Sequence, residues 1–321
     1  MKEATRNVMV SVIVLTYNHE KYIRKALDSI LMQNVNFKYE ILIGDDASID
    51  ETPKILKEYQ KRYPDMIRLW QREQNLGATQ NAYELMNAAR GNYIASCEGD
   101  DYWLTSNKLQ KQVDFLEANL QYIGCAHKCR IIDEDGISWK RERLRWVTNK
   151  RIYTLRDFRG LILPGQASTI VRRNIYCNPK YDYSIFVKAH PQIGDRTTTL
   201  IYAAQGDFYC FPDVMSCYRK RRKATSLTTQ TYTQTIDSVW RDFLYTRHLE
   251  DYAKNVLKID AGFRYHKRDL LTSALLYWLL GDRMKGQDVI RQIVKSERAG
   301  WRMFAYVPFG ILKKLFSRLI G

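Results

Sequence analysis

Three acids fall within four residues at Glu98, Asp100 and Asp101, with Gly99 between them. Ionised together in one tight turn they would repel one another and raise at least one pKa. A divalent cation shared with a phosphorylated ligand removes that repulsion. Oxygen donors with an open, hydrated sphere suit Mg²⁺ or Mn²⁺ held by one or two carboxylates and a diphosphate. Asp100 and Asp101 are therefore the candidate metal ligands, with Glu98 beside them. A second pair, Asp45 and Asp46, brings a carboxylate able to accept from the N3–H of uracil or the N1–H and N2–H of guanine, a donor edge that leaves the base open. The plainer role for each acid is to cap or brace the helix that follows it.

Such acids can act together only if the chain folds their loops into one place. The order of elements predicts this. Val10–Leu15 is a continuous, mostly β-branched run suited to a parallel strand covered on both faces, and Thr16, Tyr17 and Asn18 follow at its end. Asn18 is expected to cap a helix bearing Tyr22, Ile23, Ala26, Leu27, Ile30 and Leu31 at helical spacing. A second strand, Glu40–Ile43, leads into Asp45 and Asp46. Ser48 and Glu51 have capping-box spacing and Pro53 stands early in the next helix. A third strand over Ile67–Gln71 precedes Asn75-Leu76-Gly77 and a helix ending at Gly91. A fourth, Tyr93–Cys97, runs into the acidic turn, after which Ser106 is placed to cap a helix. This alternation predicts an α/β fold with a parallel, doubly wound sheet, which binds ligands beyond the carboxyl ends of its strands. Beyond residue 120 the pattern changes. Strands are expected over Ile123–Ile132, Ala167–Val171 and Phe208–Phe211, a helix near Asp195–Gln205, and mainly helices from Tyr232 onward.

Taken together, Val10-Ser11-Val12-Ile13-Val14-Leu15-Thr16-Tyr17-Asn18, Gly44-Asp45-Asp46-Ala47-Ser48, Asn75-Leu76-Gly77, Gly91-Asn92-Tyr93-Ile94 and Glu98-Gly99-Asp100-Asp101-Tyr102-Trp103 resemble the family 2 glycosyltransferases of GT-A fold. The resemblance implies a Rossmann-like, mostly parallel sheet in a catalytic domain over 1–225, divided near residue 120 into donor and acceptor halves, with a basic helical extension over 226–321. It implies a nucleotide-diphospho-sugar donor, a UDP-sugar first, held by Thr16, Tyr17, Asn18, Asp45, Asp46, Asn75, Gly77 and Asn81. Asp100 matches the metal-binding end of the family's D-x-D element, whereas Glu98 replaces its first acid. Gly194-Asp195 matches the later acidic element, giving Asp195 the role of general base toward an acceptor hydroxyl. Asp213–Arg219 resembles the segment that closes the site, so Arg219, with Lys220, would face the departing diphosphate. Inversion at the anomeric carbon follows from the same resemblance. The Gln-x-x-Arg-Trp element of processive synthases is absent, implying one hexosyl or N-acetylhexosaminyl group per encounter.

The formal charge of +16 across 321 residues calls for an anionic partner. No nucleic-acid module accompanies it, so a nucleic-acid-binding protein is the weaker alternative. A nucleotidyltransferase would need a Gly-rich, Lys-containing N-terminal loop, and a nicotinamide dehydrogenase a G-x-G-x-x-G after the first strand; neither is present. Phe309, Leu312, Leu315, Phe316 and Leu319, with Lys313, Lys314 and Arg318, form an amphipathic pattern suited to an anionic membrane surface carrying a lipid-linked acceptor. No stretch is long enough to span a bilayer, Leu270–Leu280 included. Six cysteines without framework spacing indicate a reducing, cytoplasmic setting, peripheral to the inner face of the membrane. Cys125, His127 and Cys129 alternate as on one strand face and are expected to be packing residues rather than zinc ligands.

Overall fold

The computed structural model describes residues 8–139, 144, 146–158, 161–220, 235–279 and 283–296. The chain divides into two compact units, Met1–Phe158 with Ile162–Arg222 and Arg159–Leu161 with Lys223–Gly321.

In the first unit the apolar run forms β1 (Val10–Thr16), almost wholly buried because both its edges and both its faces are covered. It pairs in parallel with β2 (Tyr39–Asp45) on one side and β4 (Tyr93–Ser96) on the other, and β3 (Ile67–Gln71) extends the sheet beyond β2. Alternation along β1 splits its side chains between two layers. Val10, Val12 and Val14 join Ile23, Ala26, Leu27 and Ile30 of α1 (Ile23–Leu31), Leu56 and Tyr59 of α2 (Thr52–Arg62), and Leu109, Val113 and Leu116 of α4 (Lys108–Ala118) in one core. The opposite face meets α3 (Ala78–Ala88), whose Asn81 Nδ2 donates to the Gly44 carbonyl at 2.9 Å. A Cβ on Gly44 would lie 2.2 Å from Asn81 Oδ1, so only glycine permits that approach.

Past β4 the sheet turns mixed. β8 (Val171–Arg173) runs antiparallel to both β4 and β6 (Tyr122–Ile132), and β6 pairs in parallel with the long β9 (Asp207–Arg219). β5 (Tyr102–Trp103) and β7 (Ile152–Tyr153) pair antiparallel to β9. Among the described residues the order is β3-β2-β1-β4-β8-β6-β9-β5, a nine-stranded sheet with β7 off that path. Short helices α5 (Leu155–Phe158) and α6 (Ile185–Lys188) and the longer α7 (Asp195–Ala203) complete the unit.

Several local expectations are corrected. Asn18 does not cap α1, which begins five residues later; it adopts a left-handed φ of 55° and its Oδ1 accepts the Ile49 N–H. Ser48 forms no capping box, because its Oγ donates to Asp45 and accepts the Asn18 N–H. Asn107, not Ser106, precedes α4. Ala167–Thr169 is a 3₁₀ turn and the strand starts only at Val171, while Phe208–Phe211 is the beginning of a strand three times as long. Asn18 and Ser48 are drawn from their local roles by contacts about 30 residues away in sequence, whereas the 3₁₀ turn is set locally by Gln166, whose side chain accepts the Ser168 N–H.

In the second unit, the described residues from 235 begin with a capping box in which Thr235 and Ser238 exchange bonds at the start of α8 (Ile236–Tyr252). A π turn over Ala253–Leu257 leads to α9 (Arg264–Leu279) and α10 (Arg283–Ser296). Ile236, Val239 and Phe243 pack with Leu270, Leu271, Ala274, Val289 and Ile293 in a separate core. Among the described residues no helix is long and apolar enough to cross a membrane. The amphipathic pattern at residues 309–319 lies outside the described residues.

Candidate functional site

The carboxyl ends of β1, β2 and β4 lie side by side in register, so the loops that follow them converge. The Asp46 N–H donates to the Thr16 carbonyl at 3.0 Å, and the Gly99 N–H to the Leu15 carbonyl at 2.8 Å. The loop after β1 is latched to the loop after β2 by the Asn18, His19 and Glu20 N–H groups, which donate to Ser48 Oγ, Thr52 Oγ1 and Asp50 Oδ2. Tyr17 stands at the rim of this floor with 46% of its surface exposed. Thr16 is buried beneath it, and its Oγ1 has no hydrogen-bond partner.

Each Asp46 oxygen accepts one backbone N–H, Oδ1 from Leu76 at 2.7 Å and Oδ2 from Gly77 at 3.0 Å. This bridges the end of β2 to the start of α3 and leaves lone pairs on both oxygens. Asn75 Nδ2 donates to the Asp46 carbonyl, while its Oδ1 accepts the Gly77 N–H. Gly77 has a φ of +87°, where a Cβ would sit 2.6 Å from the Pro191 carbonyl oxygen. Asp45 is buried, and burial raises its carboxyl against the opposing hydrogen bond from Ser48. Asn81 is buried and engaged with Gly44 and Arg72, so it braces α3 rather than facing a diphosphate as expected.

The acidic turn separates its members. Asp100 keeps its side chain 19% exposed, with Oδ2 3.8 Å from His19 Nε2. Glu98 is half-buried, with Gln166 Nε2 donating to its Oε2 at 3.2 Å. Asp101 departs from the expected metal-ligand role. It is 1% exposed; Oδ2 accepts Gln166 Nε2 and Ser168 Oγ, each at 2.7 Å, and Oδ1 accepts the Arg219 N–H at 2.8 Å. Burial, then the Asp100 charge, pushes its carboxyl up to about 8, against three donors that favour the carboxylate. Asp101 anchors the turn, while the Asp100 side chain stays partly exposed.

Arg219 is likewise reassigned. Its Nε donates to the Asp100 carbonyl at 3.0 Å and its Nη1 to those of Asp133 and Glu134 at 2.9 and 2.8 Å. Its guanidinium lies 4.3 Å from the Tyr22 ring centre and the residue is 7% exposed. A cation committed to three carbonyls and a ring face is a clamp on the turn, not an open anion site.

Asp195 is the first residue of α7, and the segment before it is seated on α3: Thr79 Oγ1 donates to the His190 carbonyl at 2.8 Å and the Thr79 N–H to that of Pro191 at 3.3 Å. It is open to solvent yet flanked by protein, which raises its carboxyl, with Arg172 and then Arg196 pulling the other way. Raised, accessible carboxyls of this kind suit general bases. The sequence reading missed Gln166, Ser168 and His19. His19 directly follows Thr16–Asn18 and was within reach of the motif; Gln166 and Ser168 carry no local signal. Cys125, His127 and Cys129 lie within β6, the first two buried and Cys129 half-buried.

Comparison with known proteins places the chain among related sequences and folds. The uncharacterized protein Rv1520 of Mycobacterium tuberculosis (strain ATCC 25618 / H37Rv) is 32% identical over 279 residues, spanning 84% of this chain and 74% of that one. The putative glycosyltransferase EpsE of Bacillus subtilis (strain 168) is 36% identical over 128 residues, 40% of this chain and 45% of its own. The crystal structure of S. aureus TarS 1–349 in complex with UDP-GlcNAc shares the fold, with a TM-score of 0.54, 18% identity and coverage of 91% and 92% of the two chains. Residues 11–177 match glycosyl transferase family 2. With the loops after β1, β2 and β4 gathered at the carboxyl ends of a mostly parallel sheet, the chain has the GT-A fold, belongs to glycosyl transferase family 2 and is a glycosyltransferase.

Proposed function

We propose that this enzyme transfers one sugar, with inversion, from a UDP-sugar to an acceptor hydroxyl of a lipid-linked glycan, with a divalent cation at Asp100. The carrying observation is the placement of Asp100. Its side chain stays partly exposed at the carboxyl ends of the strands whose loops carry Thr16, Tyr17 and Asp46, while buried Asp101 and Arg219 lock the turn. The protein offers few ligands here, Asp100 with Glu98 alongside, which fits Mg²⁺ or Mn²⁺ that take their remaining ligands from water and phosphate. The unpartnered Thr16 hydroxyl is a further group a bound donor can satisfy. When bound, the metal neutralises charge on the departing diphosphate.

The chain's own residues do the rest. Tyr17 covers the base, Asp46 accepts from its donor edge with its remaining lone pairs, and the loop at Asn75 and Gly77 flanks the diphosphate. Asp195 accepts the acceptor's proton as the hydroxyl attacks the anomeric carbon. TarS, which shares this fold, binds UDP-GlcNAc, which supports a uridine donor. The basic amphipathic pattern at 309–319 supports work at an anionic leaflet. Purified enzyme screened against UDP- and GDP-sugars with Mn²⁺ should release UDP, and Asp195→Asn should bind that donor normally yet transfer nothing. Unimpaired transfer by Asp195→Asn would remove it as the base, and release of pyrophosphate would replace sugar transfer with nucleotidyl transfer.

A further inference from the structure

His19 belongs to the loop after β1, but its imidazole is built into the acidic turn that follows β4. Its backbone is fixed from both sides: the N–H donates to Thr52 Oγ1 at 2.9 Å, and the carbonyl accepts the Tyr22 and Ile23 N–H groups at 2.8 and 2.9 Å, where α1 begins. The ring lies along the turn because Gly99 leaves it room. A Cβ at residue 99 would stand 2.7 Å from His19 Nδ1 and 3.0 Å from Thr16 Cβ. The Gly99 N–H is held by the Leu15 carbonyl at 2.8 Å, so the turn cannot move aside without losing that bond. The Tyr22 ring meets the imidazole edge-on at 6.5 Å and itself carries the Arg219 guanidinium, 4.3 Å from its centre.

This seating brings Nε2 to Asp100. The two side chains are 14% and 19% exposed, and Nε2 stands 3.8 Å from Oδ2. That separation is too long for a direct hydrogen bond. It suits two donors of one ion: with metal–ligand bonds of about 2.0–2.2 Å, donors at right angles stand about 3 Å apart and opposite donors about 4.2 Å. Glu98, the other acid beside Asp100, is drawn toward Gln166, whose Nε2 donates to Glu98 Oε2 at 3.2 Å and to Asp101 Oδ2 at 2.7 Å.

We propose that His19 Nε2 is a second protein ligand, with Asp100, of the divalent cation. The proposal rests on the cation being held at Asp100. Neutral imidazole binds a metal through one ring nitrogen, and two side chains leave the remaining positions to water and diphosphate. A nitrogen among oxygens suits a transition ion such as Mn²⁺ better than Mg²⁺, a hard cation of oxygen ligands. Gly99 makes the pairing possible, since a side chain there would push the imidazole off the turn.

The experiment reads the metal without turnover. Mn²⁺ bound to the full chain with UDP is measured by electron spin echo envelope modulation, which detects nitrogen bonded to the ion. Wild type should show ¹⁴N modulation that becomes a ¹⁵N pattern when histidine alone is ¹⁵N-labelled. The signal should be lost in His19→Phe, which keeps a ring against Gly99. His19→Phe should also bind Mn²⁺ about tenfold more weakly, with Mg²⁺ affinity changed by less than about twofold. Bound Mn²⁺ without histidine nitrogen coupling in the wild type overturns the proposal and leaves His19 as a plain ion-pair partner of Asp100. Should His19→Phe not fold, His19→Gln takes its place, and a histidine signal that survives the substitution overturns the proposal equally; should neither fold, the wild-type spectrum decides alone. Mn²⁺ titration of Asp100→Ala keeps the two claims apart. Binding unchanged there sinks the cation site at Asp100 and this inference with it, whereas binding lost there, with no nitrogen signal in the wild type, sinks this inference alone.

Discussion

Replacing Arg219 by methionine separates two roles for this residue, a cation for the diphosphate or a clamp on the acidic turn. The substitution removes three hydrogen bonds from a charged donor to the Asp100, Asp133 and Glu134 carbonyls, and the stack on Tyr22. It spares the backbone bond from residue 219 to Asp101, so β9 should still pair with β5. Each charged hydrogen bond is worth about 1.5–3 kcal/mol, but the freed carbonyls regain some water and the three bonds share one side chain, so the sum is best taken as about 4 kcal/mol. For a unit of this size that corresponds to a fall in Tm of about 8–16 °C. Arg219→Lys, with a single ammonium and no planar face, should recover less than half of it. Thermal unfolding followed by circular dichroism without nucleotide is the assay, and because the clamp is buried the loss should change little with salt. A Tm within about 2 °C of wild type, with only donor affinity reduced, would refute the clamp and restore Arg219 to the ligand-facing role its position in the chain suggests.

Asp100→Ala should abolish Mn²⁺-supported donor turnover while lowering Tm far less than Arg219→Met, because that side chain is partly exposed and its Oδ2 lies 3.8 Å from His19 Nε2; calorimetric titration with Mn²⁺ and UDP checks the first half and melting the second. Lys108 is fully buried, with no hydrogen-bond partner for its Nζ, which lies 4.2 Å from the centre of the Trp103 ring, and burial lowers its pKa to about 7. The folded state then binds fewer protons than the unfolded between pH 7 and 10, so wild-type stability should rise across that window, and urea titrations should show the rise flattened in Lys108→Met. Gly77→Ala forces a side chain into a left-handed position against the Pro191 carbonyl and should cost about 1–3 kcal/mol in denaturant unfolding; an unchanged midpoint would mean that the 190–191 segment does not rest on α3.

Much of the first 120 residues was legible because their signals are local. The run Val10–Leu15 has the composition of an interior strand, helical spacing marked the buried faces of α1, α2 and α3, and polar residues at the ends of successive parallel strands must gather at one edge. What could not be read is which of those polar residues faces the ligand. Asp100 and Asp101 are adjacent and chemically identical, and their difference comes from Gln166, Ser168 and Arg219, separated from Asp101 by 65, 67 and 118 residues and brought to it by β8, β9 and the 3₁₀ turn between Gln166 and β8. The same holds for Ser48, drawn from a helix cap into the bond between Asp45 and Asn18, and for Asn81, committed to Gly44. Residue type and spacing determine which groups arrive at the crevice, since those follow from strand and helix periodicity. Which of them are spent on holding the loops, and which stay open for chemistry, depends on donors and acceptors that only the folded sheet brings within about 3 Å.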